Sequence, residues 1–213
     1  MKKLIDMTVK EYVLETDSAS PAPGGGSASA LAGALGMALS RMVGHLTIPK
    51  KKFKTIDEAI QQEIIHTHEK MKKMESKMLE LIDADTAAFN DIMMAIKMPK
   101  DSESEKNIRA TKLAEASIKA AELPLQIATL AHEGLMIMKP IATYGNKNAL
   151  SDIGVSVLML QTAFEGAIMN VKINLPGITD ESVKQSLIET INNIHNEGIQ
   201  TAQAIIKGIY DRL

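Results

Sequence analysis

The sequence predicts an all-α protein, and three observations lead to that fold class. Aromatic residues make up 3% of the chain, and alternating runs rich in Val, Thr, Tyr and Phe are missing, so strands have little to form from. Helix-capping signals recur along the chain. Long segments without proline or glycine lie between several of these signals. We therefore expect a single domain over residues 1–213, built as a bundle of long antiparallel helices.

Capping boxes place three of the helix starts. In each box, a Ser or Thr side chain and a Glu three positions later satisfy backbone N–H groups reciprocally. The boxes predict a short first helix, a very long helix that reaches about Lys97, and a helix that Pro124 kinks or splits and Pro140 ends. They begin at Thr8, Thr55 and Ser102.

Two more helices follow from polar residues at their starts. One runs from Asp152 to Asn174 with Ser151 and Asp152 as caps, and the last opens at Thr179 and reaches almost to Leu213. Apolar side chains recur along the first of these at spacings of three and four, which predicts a buried stripe. The stripe consists of Ile153, Val157, Leu160, Phe164, Ile168 and Val171.

The composition excludes several classes of function. The 24 Lys and Arg residues nearly balance the 26 Asp and Glu residues, which argues against a general nucleic-acid binder. Cysteine is absent, so disulfides, thiolate catalysis and Cys-ligated metal sites are excluded. His66 and His68 lie two apart on a predicted helix and cannot converge on one ion, so we expect no metal.

The sequence favours a cytoplasmic protein without a membrane segment. Its first residues lack the continuous apolar core of a signal peptide. The most membrane-like stretch, Ala28 to Val43, is mostly Ala, Gly and Ser and contains Arg41, so we expect it to lie inside a buried helix from about Ala28 to Leu46. The expected partners are small molecules or another subunit.

That helix follows a glycine-rich motif, Pro23-Gly24-Gly25-Gly26-Ser27. Three glycines leave backbone N–H groups unshielded at a helix N-terminus, where the helix dipole favours an anion such as a carboxylate or phosphate. The alternative is a tight turn with positive φ angles, followed by Ser27 as the N-cap. The spacing fits neither a P-loop nor a dinucleotide fingerprint.

Two carboxylates interrupt an apolar part of the very long helix. Asp83 and Asp85 are two residues apart, so they point to different sides of that helix. One can face solvent while the other faces a cavity, where apolar surroundings raise the pKa of a carboxyl and make it a general acid near neutral pH. The alternative is that both are solvated surface groups.

Polar residues also gather at a predicted helix start and along one side of the helix that follows. Capping explains most of the cluster at the start. Small residues and two amides, Asn170 and Asn174, mark one side of the helix and predict a polar cavity or a close helix contact there, because buried amides need hydrogen-bond partners. The cluster at the start consists of Asn146, Asn148, Ser151 and Asp152.

A basic run, Lys50-Lys51-Lys52-Phe53-Lys54, lies in the loop after the glycine-rich helix. Such a run is typical of a solvated loop. The alternative is a landing surface for a polyanionic substrate tail, steered by positive potential.

Taken together, these motifs resemble the cyclodeaminase/cyclohydrolase family, whose members include the C-terminal domain of formiminotransferase-cyclodeaminase. The resemblance runs from about Val13 to Tyr210, with the motifs in family order. Pro49 departs from the pattern, which has glycine before the lysines. The matching motifs are the glycine-rich segment with the Ala-rich residues after it, Leu46-Thr47 with the Lys run, Asp85-x-x-Ala88-Phe89, Lys97-Met98-Pro99-Lys100, Pro124, Asn146-Lys147-x-x-x-Ser151-Asp152 and Gly166-Ala167-x-x-Asn170-Val171-x-Ile173-Asn174.

The resemblance implies a helical homodimer that acts on tetrahydrofolate carrying a one-carbon unit, without a metal or redox cofactor. Asp85 occupies the family position of the acid/base residue, and Asp152 and Asn170 would orient substrate or hold the proton of Asp85. The glycine N–H groups would bind polar groups of the pterin or a carboxylate of the glutamate tail. The full set of implied substrate-binding positions is Gly24, Gly25, Gly26, Ser27, Asn146, Ser151, Asp152, Asn170 and Asn174.

Three hypotheses about function follow. The leading one is a formiminotetrahydrofolate cyclodeaminase, which converts 5-formiminotetrahydrofolate to 5,10-methenyltetrahydrofolate and ammonia. The second is a methenyltetrahydrofolate cyclohydrolase on the same scaffold. The third is a non-catalytic helical folate-binding or interaction protein, against which the retained polar residues argue because unpaired buried polar groups cost stability.

Overall fold

The structure, a computed structural model, describes residues 2–213, and this part of the chain is all-helical with seven α-helices. Five of these helices are long, with 23 to 40 residues each. Short 3₁₀ segments lie at Leu4–Asp6, Lys51–Thr55, Lys147–Ala149 and Leu175–Gly177. The α-helices are α1 (Val9–Thr16), α2 (Gly25–Thr47), α3 (Glu58–Lys97), α4 (Glu103–Ile137), α5 (Lys139–Tyr144), α6 (Leu150–Asn174) and α7 (Glu181–Tyr210).

Helix α6 lies at the centre of the bundle. It packs against α2, α4 and α7, while α3 lies against α2 and α4. Every member of its predicted apolar stripe is buried, which confirms that prediction. The start of α2 lies beside the end of α6, with Gly25 against Asn170 and Gly36 against Ser156, so the two helices are antiparallel.

The close contact predicted for the small-residue side of α6 is present along α2. A Cβ added at Gly36 would lie 2.9 Å from Cγ of Leu160. The Ser156 hydroxyl donates to the Gly36 carbonyl at 2.5 Å. Small residues on both helices therefore bring the two backbones together, and one consequence is that the residues at the start of α2 are positioned directly by α6.

Two of the three capping boxes are confirmed. The boxes at Thr8 and Ser102 have both reciprocal hydrogen bonds. The box expected at Thr55 is wrong, because Asp57 is the N-cap of α3 and accepts from the N–H of Ala59 at 2.9 Å. The Thr55 hydroxyl instead donates to the carbonyl of Lys52.

Three other boundaries differ from the predictions. Pro124 lies inside a continuous α4 and does not split it, and α4 ends at Ile137, before Pro140. Ala149 is the N-cap of α6, so Ser151 and Asp152 lie in its first turn and do not cap it. Local sequence signals locate a helix end only to within a turn, because tertiary packing extends or trims the terminal residues.

One helical stretch, Lys147–Gly177, is long and apolar enough to be a candidate membrane span, with a mean hydropathy of 1.2 over its most apolar 18 residues. This stretch contains α6, the central helix of the bundle. A core helix can be equally long and apolar, so length and hydropathy do not distinguish it from a membrane span. The stretch that the sequence singled out, Ala28 to Val43, lies within α2 and packs against α3 and α6.

Candidate functional site

A cavity of about 280 Å³ opens at the start of α2. The glycine motif forms one side of it, and α3, α4 and α6 supply the others. Apolar side chains form much of the wall, and Asp85 is the one titratable group among the lining residues that the structure describes. The lining consists of Pro21, Ala22, Gly24, Gly25, Gly26, Asp85, Phe89, Ile92, Ala120, Asn170, Ile173 and Asn174.

The glycines are required by close approach and not by backbone conformation. No glycine in residues 2–213 has a positive φ angle, so the interpretation of the motif as a positive-φ turn is wrong. A Cβ on Gly26 would collide with the carboxyl of Asp85, and a Cβ on Gly25 would lie 2.9 Å from Nδ2 of Asn170. These two glycines let the helix start touch both side chains directly.

Helix α2 begins at Gly25, about three residues earlier than predicted, with Gly24 as its N-cap. Ser27 is therefore not the N-cap but a residue of the first turn, and it is fully buried. Gly24 has no side chain with which to cap the helix. The N–H groups of Gly25 and Gly26 consequently stay available to an acceptor in the cavity, at the positive end of the helix dipole.

Asp85 has the properties of a proton donor. Burial raises its pKa, although a hydrogen bond from the backbone N–H of Ser27 acts in the opposite direction. Desolvation is the larger effect, because few polar atoms replace the water removed from the carboxyl. The carboxyl therefore keeps its proton at a higher pH than an exposed aspartate does.

Asp83 faces away from the cavity, as the two-residue spacing predicted. Its carboxylate accepts hydrogen bonds from the backbone N–H of Leu4 at 2.7 Å and of Ile5 at 3.3 Å. It thereby anchors the N-terminal 3₁₀ segment to α3. Asp83 therefore stabilises the fold, whereas Asp85 faces the cavity.

The two asparagines of α6 lie at the cavity, and hydrogen bonds fix both of them. Nδ2 of Asn170 donates to the carbonyl of Gly166 at 2.8 Å. Nδ2 of Asn174 donates to the carbonyls of Ala120 and Asn170, both at 2.8 Å, and so ties α6 to α4. Asn174 thus uses both N–H bonds of its amide and Asn170 uses one, which leaves the Oδ1 atoms to accept from a bound molecule and one N–H of Asn170 to donate to it.

The other predicted site residues, Asn146, Ser151 and Asp152, lie near the end of α2 and not at its start. The backbone N–H of Asn146 donates to the Thr47 hydroxyl at 2.9 Å, and the Asn146 side chain accepts from the N–H of Asn148. At 1.5 Å per residue, Asp152 lies about 27 Å along α6 from Asn170. Within one chain, therefore, neither Ser151 nor Asp152 contacts Asp85, and the expectation that Asp152 holds the proton of Asp85 does not fit a single chain.

A second cavity, of about 430 Å³, lies at this opposite end. Part of the Lys run and the turn before α6 form its walls, so it combines cations with apolar and amide groups. We call it the basic cavity. Its lining residues are Leu46, Thr47, Lys50, Lys52, Phe53, Ile56, Thr143, Tyr144, Gly145, Asn146, Lys147 and Asn148.

Several residues at the Asp85 cavity gave no separate signal in the sequence. Ile92 and Ala120 supply apolar wall beside Phe89 of the Asp85-x-x-Ala88-Phe89 motif, and the positions of Ile92 and Ala120 look like ordinary helix residues. Tyr12 lies behind the cavity and bonds to Ser27, but it is on a helix whose other residues are exposed. Only the packing of α1, α3 and α4 around the start of α2 brings these residues together.

In residues 2–213, no group of three or more His, Asp or Glu side chains is arranged to hold a metal ion. The site instead consists of a half-buried acid, the backbone N–H groups of Gly25 and Gly26, and the amide groups of Asn170 and Asn174. Together, fold and site define an all-α protein with an acid group in a cavity beside a glycine-rich helix start.

Comparison with known proteins gives the particular family. Residues 8–193 match the model of the formiminotransferase-cyclodeaminase family, and the chain belongs to this family. The chain is 34% identical to the formimidoyltransferase-cyclodeaminase of Mus musculus over 97% of its own length, and it spans 37% of that protein. The family resemblance seen in the sequence is thereby confirmed.

Two further relatives match this chain over nearly their whole length. The methenyltetrahydrofolate cyclohydrolase of Methylorubrum extorquens is 32% identical, with 96% of this chain and 94% of that protein covered. The crystal structure of the formiminotetrahydrofolate cyclodeaminase from Thermotoga maritima superposes with a TM-score of 0.76 at 28% identity, over 97% of this chain and 93% of that one. The all-α fold is confirmed by this similarity.

Proposed function

We propose that the protein is a formiminotetrahydrofolate cyclodeaminase, which closes 5-formiminotetrahydrofolate to 5,10-methenyltetrahydrofolate and releases ammonia. The observation that carries this proposal is the enclosed Asp85 carboxyl, packed against the start of α2 in a chain of this family. The reaction needs a proton donor for a leaving nitrogen and a pocket that orients the substrate.

Asp85 supplies the proton transfers in this scheme. Its carboxyl first protonates the imine nitrogen of the formimino group, and N10 then attacks the formimino carbon to form the N10–C bond. The carboxylate takes the proton from N10 and gives it to the amino group, whose C–N bond breaks as ammonia leaves. The methenyl cation remains between N5 and N10, and Asp85 recovers a proton from solvent.

The groups around Asp85 support the orientation of such a substrate. The N–H groups of Gly25 and Gly26 can donate to a polar acceptor of the pterin, and Oδ1 of Asn170 can accept from its N–H groups. The apolar wall from Phe89 and Ile92 suits the flat ring system. The scheme uses no metal or redox cofactor and is compatible with a cytoplasmic protein.

We further propose that the protein works as a homodimer. Exposed apolar side chains form a stripe on α2 and a second stripe on the adjacent α6, at spacings that keep each set on one helix face. Two copies that pack these faces together would bury both stripes in a four-helix interface. The stripes consist of Leu35, Met42 and Leu46 on α2 and of Val155, Leu158, Met169 and Ile173 on α6.

The dimer also explains why candidate residues lie at both ends of α2. From Gly25 to Thr47 the helix rises about 33 Å, so the two cavities of one chain are far apart. A two-fold axis that crosses the helices would place the start of one α2 beside the end of the partner's α2. Each site would then combine the Asp85 cavity of one copy with the basic cavity of the other, whose lysines suit an anionic glutamate tail.

A second candidate activity is supported by the match to the Methylorubrum cyclohydrolase over 94% of that protein. In this alternative, water adds to methenyltetrahydrofolate and the ring opens to 10-formyltetrahydrofolate. The same tetrahedral carbon lies between two nitrogens, and Asp85 would protonate N5 as its bond breaks.

One pair of assays tests both activities. Purified protein is incubated with 5-formiminotetrahydrofolate and, separately, with 5,10-methenyltetrahydrofolate, while the absorbance of the methenyl form is followed against enzyme-free controls. We expect an increase in the first assay that depends on enzyme concentration. A decrease in the second assay alone would favour the cyclohydrolase, and no enzyme-dependent change in either would exclude both activities.

A further inference from the structure

Helix α1 has one side chain that is partly buried against the body of the protein. Tyr12 is the one residue of α1 that is not exposed, and it packs against the hydrophobic core. Its phenol Oη lies 3.1 Å from Oγ of Ser27. The contact is directly behind the Asp85 cavity, because the Asp85 carboxyl lies against Gly26, the residue before Ser27 in the same turn of α2.

The side chain that forms a hydrogen bond with the Ser27 hydroxyl is that of Tyr12. Ser27 is completely buried, so without Tyr12 its hydroxyl would lack both water and a side-chain partner there. A buried hydroxyl without a partner is strongly unfavourable and turns toward any acceptor within reach. The Asp85 carboxyl lies against Gly26 in the same turn of α2, and it is the acceptor that we expect a rotated Ser27 hydroxyl to reach.

The charged and titratable surroundings of Asp85 are simple. On α3, Asp83 is directed toward the N–H groups of Leu4 and Ile5. On α1, Tyr12 is the nearest titratable group; burial raises the pKa of its phenol, and the charge of Asp85 adds to this effect. From α4 and α6, the cavity receives Ala120, Ile173 and two asparagines, none of which titrates.

We propose that Tyr12 is a positioning residue of this site: its phenol holds the Ser27 hydroxyl turned away from Asp85, so that the carboxyl stays free of a side-chain donor. A serine hydroxyl that donated to Asp85 would stabilise the carboxylate, and the group would lose its proton before it could serve as an acid. Tyr12 thus acts on Asp85 through Ser27 and touches no substrate.

The variant Tyr12→Phe tests this role, because it keeps the aromatic ring and removes only the hydroxyl. We expect the pKa of Asp85, measured by NMR titration of its ¹³C-labelled carboxyl, to fall by roughly one pH unit. The alkaline limb of the kcat profile should move down by the same amount, since turnover requires the protonated acid. The double variant Tyr12→Phe/Ser27→Ala should return both values to those of the wild type, because no hydroxyl remains to donate.

A merely structural role of Tyr12 gives a different pattern. Loosening of α1 would lower kcat by one factor at every pH, and removal of the Ser27 hydroxyl would not reverse the loss. An unchanged Asp85 pKa in folded Tyr12→Phe would overturn the proposal. Circular dichroism establishes that the variant is folded.

A second variant keeps the test decisive if Tyr12→Phe does not fold. In Ser27→Ala, the Asp85 pKa should equal that of the wild type, and a raised pKa would mean that Ser27 already donates to Asp85, which would refute the proposal. The kinetic part rests on the proposed function, whereas the NMR titration needs no substrate. A wild type without folate turnover but with the expected NMR shifts would therefore contradict the function and not the role of Tyr12.

Discussion

The two ends of α2 carry opposite kinds of cavity. At its start, apolar walls enclose one carboxyl whose pKa burial raises, and glycines replace side chains where the helix meets that carboxyl. At its end, the basic cavity presents Lys50, Lys52 and Lys147 beside Phe53 and Tyr144. The first is poor in charge and the second is rich in positive charge.

In the proposed function, this difference would separate chemistry from recognition. A proton donor must be desolvated to keep its proton near neutral pH, and nearby lysines would defeat this by stabilising the carboxylate. Capture of an anionic tail needs cations that remain hydrated and accessible. About 33 Å of helix between the two cavities keeps these requirements from interfering within one chain.

The largest effect is expected where the carboxyl itself is changed. Asp85→Asn should lower kcat by a factor of about 10² to 10⁴, because an amide cannot exchange protons with the substrate. Its neighbour Asp83 is the matched control. Asp83→Asn should weaken the anchor on Leu4 and Ile5 and lower the free energy of unfolding by about 1–3 kcal/mol, with kcat close to wild type.

Kinetics and thermal unfolding of both variants measure this contrast. If Asp83→Asn lost turnover while Asp85→Asn kept it, the assignment of the two carboxylates would be reversed. Equal losses of turnover in two folded variants would mean that their positions in the fold do not separate their roles.

The next largest effect concerns the interface that would join the two kinds of cavity. Leu158→Glu places a charge in the exposed stripe of α6 and should give monomers with little activity. Ile108→Glu, at an exposed position on α4 outside both stripes, should stay dimeric and active. Analytical ultracentrifugation with parallel assays decides, and an active Leu158→Glu monomer would show that one chain is sufficient.

Mixed dimers sharpen this test. Asp85→Asn and a Lys50→Ala/Lys52→Ala variant are each impaired in a different cavity. If each site draws on both copies, coexpressed mixed dimers should contain one intact site and recover the wild-type KM for a polyglutamylated substrate at low salt. No recovery in verified mixed dimers would mean that both cavities of a working site come from one chain.

A smaller effect is expected at the glycine that touches Asp85. In Gly26→Ala, the new methyl group would collide with the carboxyl, so we expect kcat to fall by up to about 100-fold and the free energy of unfolding to fall by about 1–3 kcal/mol. Gly24→Ala is the control, because its methyl would meet only the Pro21 carbonyl at 3.7 Å. Similar kinetics for the two variants would contradict the role of close approach.

The smallest kinetic effect is expected at the basic cavity. Lys52→Ala should raise the KM of a polyglutamylated substrate several-fold at low salt, by about 1 kcal/mol at most, and leave kcat unchanged, since exposed charge interactions are weak and screened. Lys73→Ala, an exposed lysine on α3, is the control. If Lys52→Ala and Lys73→Ala did not differ in KM for either the polyglutamylated or the monoglutamylated substrate, the basic cavity would not bind the tail.

The pH dependence of stability offers a last comparison. Burial raises the pKa of Asp85 in the folded state, so the folded protein keeps a proton that the unfolded chain has lost. The stabilising contribution of this proton is complete below the ordinary carboxyl pKa of about 4 and is lost as pH rises through the folded-state value. The Tm of Asp85→Asn relative to wild type should therefore increase with pH, and a constant difference would argue against a raised pKa.

Much of the fold could be predicted from local signals. The capping boxes at Thr8 and Ser102, the long proline-free segment of α3 and the apolar stripe of α6 are set by residues within a few turns of one another. The capping predictions at Thr55 and Ser151 failed because another residue is the N-cap, Asp57 for α3 and Ala149 for α6.

The sequence by itself determined the all-α fold, the different directions of Asp83 and Asp85, and the unshielded backbone at Gly24 to Gly26, because helix periodicity and the absence of side chains are local properties. The tertiary structure alone decided that Gly26 lies against Asp85, that Tyr12 reaches Ser27, and that Asp152 lies far from Asp85 in the same chain. These relations join residues from different helices, and the packing angle and register of those helices follow from the whole core and not from any single segment.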